Sequence, residues 1–167
     1  MSPHAIVLTV IVLGTVPAAV IDLRTRRVPN AVTVSLAVAG VLLALAGIGR
    51  VGLVASLLGL SLGCALMLPG HLIGGTGAGD VKLFAAVGAL LGPVGILSAF
   101  LYTAIAGGLL ALLVALRRRR GCQIFNGIAR LITNTAGSKA AIEHPSEDNR
   151  FAYAPAIAVG AIFAAMA

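Results

Sequence analysis

Two of the five acidic residues in this sequence stand where an acid is costly. Asp22 follows the apolar run 5–21, and Asp80 precedes the apolar run that begins at Val81. An Asp at the centre of a membrane helix costs about 2.5–3.5 kcal/mol on insertion scales, and less near the interface; acids in such places usually mark function. The other three, Glu143, Glu147 and Asp148, lie in a polar stretch and need no special explanation. Two carboxylates a few Å apart cannot both ionise easily, so such a pair shares a proton near neutral pH. One member then serves as general base on a water while the other donates a hydrogen bond to the carbonyl under attack. Brought together, Asp22 and Asp80 would do aspartic-protease chemistry.

The surroundings of Asp80 fit that use. It closes a glycine-rich loop, residues 70–80, in which Gly77 and Gly79 let a substrate backbone approach closely. Taken singly, each acid also has a plainer role. Asp22 can pair with Arg24 or Arg26 at the end of a span, and Asp80 can cap the helix that follows it. Lys82 is either a membrane anchor or a positive charge acting on Asp80. His71 is placed to touch a substrate or simply to sit at the interface. Other chemistries find less support. No His-Glu-x-x-His or Gly-x-Ser-x-Gly pattern occurs, and the glycine loop lacks the Lys-Ser/Thr of a phosphate-binding loop. His4, His71 and His144 are far apart in sequence, and Cys64 and Cys122 form no CxxC pair. Neither a metal site, a disulfide framework nor a cofactor is expected.

The elements that must position the two acids are membrane spans. Of 167 residues, 59% are hydrophobic and 10% charged, with a mean hydropathy of +1.07; soluble domains average about 45–50% apolar and about 25% charged residues. A chain this small cannot hide so much apolar surface in its own core, so lipid must solvate it. The net charge is +7, but aromatics make up 4% and Trp is absent, so the stacking platforms that hold single-stranded nucleic acid are missing. The basic excess fits the cytoplasmic rim of a membrane protein instead.

A crossing needs about 20 apolar residues. The runs predict spans at 5–21, 30–48 (entered through Pro29) and 51–69, with a turn at Gly49-Arg50. The first is expected to be a retained span rather than a signal peptide, because residues 1–4 carry no Lys or Arg and the positive charge follows at Arg24, Arg26 and Arg27. Residues 81–116 would make a single helix roughly 54 Å long, too long for one crossing. Gly92-Pro93 is the natural break. The first half is then short unless its helix begins inside the glycine loop, which would put Asp80 at or just below the membrane surface. Arg117–Arg120 end the fifth span. In the polar stretch 121–150, Ile124, Ile128, Leu131 and Ile132 recur at helical spacing and suggest an interfacial helix. A last span at about 151–167 contains Pro155. The sequence therefore reads as all-α: a polytopic membrane protein with about six transmembrane helices, one membrane-embedded domain over 1–167, and a polar cytoplasmic loop at about 117–150. That count places eleven of the twelve Lys and Arg residues on one side and only Arg50 on the other. The eleven are then cytoplasmic, both termini are outside, and both aspartates return to the cytoplasmic face.

Gly77-Ala78-Gly79-Asp80-Val81-Lys82-Leu83 resembles the GxGDxKL motif of the type IV prepilin peptidases, membrane aspartic proteases of bacteria and archaea. Residues 22–30, Asp22 through Pro29-Asn30, resemble the segment after the first catalytic Asp of that family, and Tyr153-Ala154-Pro155-Ala156-Ile157-Ala158-Val159-Gly160 is similar to its last block. The resemblance covers nearly the whole chain. It implies Asp22 and Asp80 as the catalytic pair, with Gly77, Gly79 and Lys82 in support of substrate binding. It implies a prepilin-like precursor as partner, cleaved between its basic leader and its apolar helix at the cytoplasmic face of the bacterial inner membrane. The small size is similar to the CpaA- or TadV-like peptidases of Flp-type pilus systems. Larger members carry an N-terminal cytoplasmic region with paired cysteines and also methylate the new N-terminus; this sequence has no such region, and the resemblance does not extend to methylation. Two other classes use the same acids differently. A small proton-coupled transporter or channel would use them as a relay, although no acid lies in mid-span, and a structural subunit would use them only as helix caps.

Overall fold

The computed structural model describes residues 2–73, 75–117 and 153–167, with side chains to Leu113 in the middle segment. Every element among them is a helix: α1 (Pro3–Thr25), α2 (Asn30–Leu45), α3 (Leu53–Leu72), α4 (Ala78–Arg117) and α5 (Ala154–Met166). Two compact units are distinguished, 1–107 with 150–167, and 108–149. The first holds everything discussed below; of the second, only the final turns of α4 are described. The expected interfacial helix around Ile124–Ile132 lies outside the described residues.

Three helices are long and apolar enough to cross a membrane, namely Pro3–Thr25, Leu53–Leu72 and the Ala78–Leu113 stretch of α4; α2 and α5 are shorter apolar helices. Their outer faces carry large side chains in the open, among them Leu13, Val38, Leu42, Val54, Leu58, Val94, Leu101 and Ile105. Water would not tolerate so extensive an apolar surface, whereas lipid solvates it.

The helix ends follow from local chemistry. Ser2 caps α1, its Oγ accepting from Ala5 N at 3.3 Å. At the other end Arg26 adopts φ 53°, a left-handed stop, and its N–H reaches back to Asp22 O at 2.7 Å. α2 ends at Leu45, three residues before the Ile48 expected from hydropathy. Gly47 takes φ 68° and donates to Ala44 O at 3.3 Å, while Ile48 N donates to Leu43 O at 3.1 Å. That is the Schellman pattern of helix termination, and it outweighs the continuing apolar run.

α4 is interrupted where the sequence breaks it. Gly92 has φ 71° and ψ −175°, a conformation open in practice only to glycine, and separates a segment 78–91 from a segment 93–117. Pro93 has no N–H, so the Ala89 carbonyl four residues earlier loses its helical donor. Ser56 of α3 replaces it: Ser56 Oγ, fully buried, donates to Ala89 O at 2.7 Å. Ser56→Ala would leave a buried carbonyl orphaned, at a cost of about 1–3 kcal/mol. A lower thermal unfolding midpoint of the detergent-solubilised protein is the expected reading.

The segment 78–91 is the centre of the unit. From Asp80 to Gly92 only Lys82 is exposed, which is the signature of a helix surrounded by others. Leu83, Phe84, Val87 and Leu90 form its core contribution, and Phe84 meets Phe100 of the second segment edge-on at 6.2 Å between ring centroids. α3 crosses it at glycines, Gly59 against Gly88, with no side chains between the backbones.

The connections place the ends. Val51 and Ala55 lie against Gly92, and Arg50 Nη1 donates to Ala165 O at 2.9 Å. The α2–α3 turn, the α4 break and the C-terminal end of α5 therefore share one end of the unit. The C-terminus of α1 and the N-termini of α2, α4 and α5 gather at the other.

Candidate functional site

Asp22 lies in the last turn of α1 and is 5% exposed; Asp80 lies in the first turn of α4 and is likewise 5% exposed. They are the buried charged side chains among the described residues. Each is held by a backbone N–H. Ala154 N, at the start of α5, donates to Asp22 Oδ2 at 3.3 Å. Gly77 N donates to Asp80 Oδ2 at 3.0 Å. The two carboxyl groups are close enough for the charge of Asp22 to act on Asp80. Asp80 Oδ1 is buried and accepts no hydrogen bond from the described residues.

The plain expectation that Asp80 caps its helix is met in an altered form. Helix α4 starts at Ala78, inside the glycine loop, so Asp80 is its third residue. Asp80 N and Val81 N donate to Gly77 O at 3.1 and 3.3 Å, and the Asp80 side chain reaches back to the N–H of Gly77. This is the acidic half of a capping box. It satisfies one carboxylate oxygen and leaves the other unused, so the capping role does not exhaust the residue.

The glycine loop is prebuilt. Gly75 N and Thr76 N both donate to Gly70 O, at 2.8 and 3.1 Å. His71 Nδ1 lies 3.0 Å from Thr76 O; a carbonyl can only accept, so this nitrogen carries the proton. His71 thus braces the loop backbone. Gly77 and Gly79 have distinct reasons to be glycine. A Cβ on Gly77 would sit 3.2 Å from Asp80 Oδ2, and one on Gly79 would sit 2.9 Å from Val28 Cβ. Gly79 therefore lets the start of α4 press against the chain that leaves α1.

Lys82 does not reach Asp80. Its Nζ donates to Asn30 Oδ1 at 3.1 Å on the exposed surface, tying the start of α2 to α4. Asp22 forms no ion pair with Arg24; its side chain turns inward to α5 instead. Arg24, Arg26 and Arg27 are exposed around it.

The third element at this site is the start of α5, which the sequence marked only as similar to the family's last block, with no role for Tyr153 or Ala154. Tyr153 is half-buried and packs on the core, with its ring against Gly107. Its neighbour Ala154 supplies the donor that holds Asp22. The available signal was Pro155, which marks a helix start directly after Tyr153-Ala154.

Compared with known proteins, residues 7–112 match the model of the type IV leader peptidase family. The matched segment includes Asp22, the glycine loop and Asp80, and ends before α5. No curated protein and no solved structure matches the chain.

Proposed function

Because this chain belongs to the type IV leader peptidase family, and so is a protease acting in general on prepilin-like substrates, we propose that it is a membrane aspartic endopeptidase whose catalytic pair is Asp22 and Asp80. The observation that carries this reading is that two carboxyl groups, far apart in the chain, are both buried at one end of the helices, with Asp22 near enough for its charge to act on Asp80. One oxygen of each is anchored by a backbone N–H. Oδ1 of Asp80 is claimed by no hydrogen bond among the described residues.

The chemistry follows from that arrangement. The ionised member of the pair takes a proton from water as its oxygen bonds to the scissile carbonyl carbon. The protonated member donates to the carbonyl oxygen, and the tetrahedral species forms. The C–N bond then breaks as a proton passes to the leaving nitrogen. Because the pair titrates as a unit, the proton belongs to both acids rather than to either one. Gly77 keeps the side of Asp80 Oδ2 free of a side chain, which suits an extended substrate strand, while Gly79 is taken up by its contact with Val28.

The helices are read as six crossings, with segments 78–91 and 93–117 of α4 counted separately. The segment 78–91 measures about 21 Å, shorter than the hydrocarbon core; its burial among the other helices supports a short crossing, since protein rather than lipid surrounds it. Arg24, Arg26, Arg27 and Lys82 cluster at the aspartate end, while Arg50 is at the other. That asymmetry supports a cytoplasmic site in the bacterial inner membrane, with both termini outside. The substrate is a type IV prepilin-like precursor, for which a short Flp-type precursor serves as the test case. Its apolar helix lies beside the spans, and its leader junction reaches the interface where the acids are.

Co-expression with a short Flp-type precursor tests the reading. The expected result is a mobility shift on a gel, with the new N-terminus at the junction of basic leader and apolar helix. A precursor that stays full-length beside folded, membrane-inserted protein overturns it.

A further inference from the structure

Residue 153 lies outside the segment matched by the family model, yet it directly precedes Ala154, whose N–H holds Asp22. We infer that Tyr153 is a positioning residue: its ring, seated against Gly107, fixes the start of α5 so that the adjacent Ala154 N–H holds Asp22 at the distance from Asp80 that catalysis needs. The inference rests on the proposed Asp22–Asp80 pair.

The seat is specific. A Cβ on Gly107 would fall 2.7 Å from Tyr153 Cε2 and 2.9 Å from its hydroxyl oxygen. No side chain other than hydrogen leaves room for the ring in that place. Both residues belong to the same compact unit. Tyr153 in turn precedes the first helical residue of α5, and its carbonyl accepts from Ala156 N at 3.0 Å and Ile157 N at 3.2 Å. The backbone of Tyr153 is thus tied into the helix start, and its ring is seated on Gly107. The same start supplies a hydrogen bond to the Asp22 side chain, from Ala154 N. A shifted ring moves that donor, and with it one carboxyl group of the pair. The hydroxyl is not bonded to Asp80 Oδ1, which has no partner among the described residues, so the ring and its seat carry the effect rather than the hydroxyl.

A kinetic comparison of purified variants on one precursor tests this. Misplacing a reacting group by about 1 Å can cost about 100-fold, so Tyr153→Ala is expected to lower kcat about 10- to 100-fold with KM little changed. Tyr153→Phe, which keeps the ring, should stay within about threefold of wild type, far from the 10- to 100-fold loss of Tyr153→Ala. Gly107→Val should lower kcat in the wild-type background and have no further effect when combined with Tyr153→Ala, because the clashing ring is gone. A merely structural loss would add in the double variant. Gly107→Ala serves as the milder arm should the valine variant fail to fold. Wild-type kcat in Tyr153→Ala, a loss in Tyr153→Phe equal to that in Tyr153→Ala, or additive losses in the double variant would each overturn the inference. Asp22→Asn run alongside separates the two readings. If that variant is inactive while Tyr153→Ala is fully active, the acid pair stands and the positioning role falls; if Asp22→Asn is active, the acid pair itself falls.

Discussion

Asp22→Asn and Asp80→Asn are each expected to reduce precursor cleavage by about 10²–10⁴-fold, the usual contribution of a positioned acid or base. Asparagine keeps the shape of the side chain and an oxygen acceptor. The bonds from Ala154 N to residue 22 and from Gly77 N to residue 80 can therefore survive. What is lost is the ability to take up and release a proton. The fold should persist, with both variants inserting and eluting like wild type on size exclusion. A channel using these acids as a relay predicts instead that proton flux into liposomes falls in Asp80→Asn and that wild type cleaves no prepilin. A structural subunit predicts that both variants behave like wild type. Near-normal cleavage by either variant sinks the catalytic reading.

The second large effect concerns the backbone crossing of α3 and α4. A Cβ on Gly88 would collide with Gly59 O and stand 2.6 Å from Gly59 C; one on Gly59 would collide with Gly88 O and stand 2.8 Å from Gly92 Cα. These obstacles are backbone atoms, which cannot rotate away as a side-chain tip can. Gly88→Ala and Gly59→Ala must push the two helices apart, and overpacking of this kind costs about 1–3 kcal/mol, occasionally more. Leucine at either position should prevent accumulation of folded protein altogether. Since α4 carries Asp80, the alanine variants should also lose cleavage at temperatures where the protein is still folded. Thermal unfolding in detergent and cleavage rate, measured on the same preparations, check both statements. An unfolding midpoint equal to wild type would show that the close crossing is not required.

Much of this architecture was legible because apolar runs and helix breakers are local. The runs located α1 to α3 within a few residues, and Gly92-Pro93 located the break in α4. The start of α4 inside the glycine loop was legible too, because a short segment needed those residues. The α2 end was misjudged since hydropathy does not sense a left-handed glycine, and Gly47 stops the helix while Ile48 is still apolar. The two acids stood out because an Asp is rare beside such runs. Their supports did not. The donors to both carboxylates are backbone N–H groups, of Gly77 and Ala154, and a backbone donor has no residue-type signature. Lys82 looked like a partner for Asp80 by proximity in sequence, yet the i, i+2 spacing on a helix points the two side chains apart, and Lys82 meets Asn30.

Ser56 illustrates a third kind of information. Nothing in its own neighbourhood marks it, and its duty is created by a proline in another helix that deprives Ala89 O of a donor. Such complementarity is visible only once two elements are laid side by side.

Helix α5 is fastened at both tips, by Ala154 N on Asp22 and by the Arg50 guanidinium on Ala165 O. A rod so fixed behaves as a strut. It cannot slide along its axis or turn about it without letting go at one tip or the other. The guanidinium at the far end of α5 therefore helps to hold the acid at the opposite end in register, a full helix length away, and the two ends of the unit are mechanically linked through thirteen residues of continuous backbone.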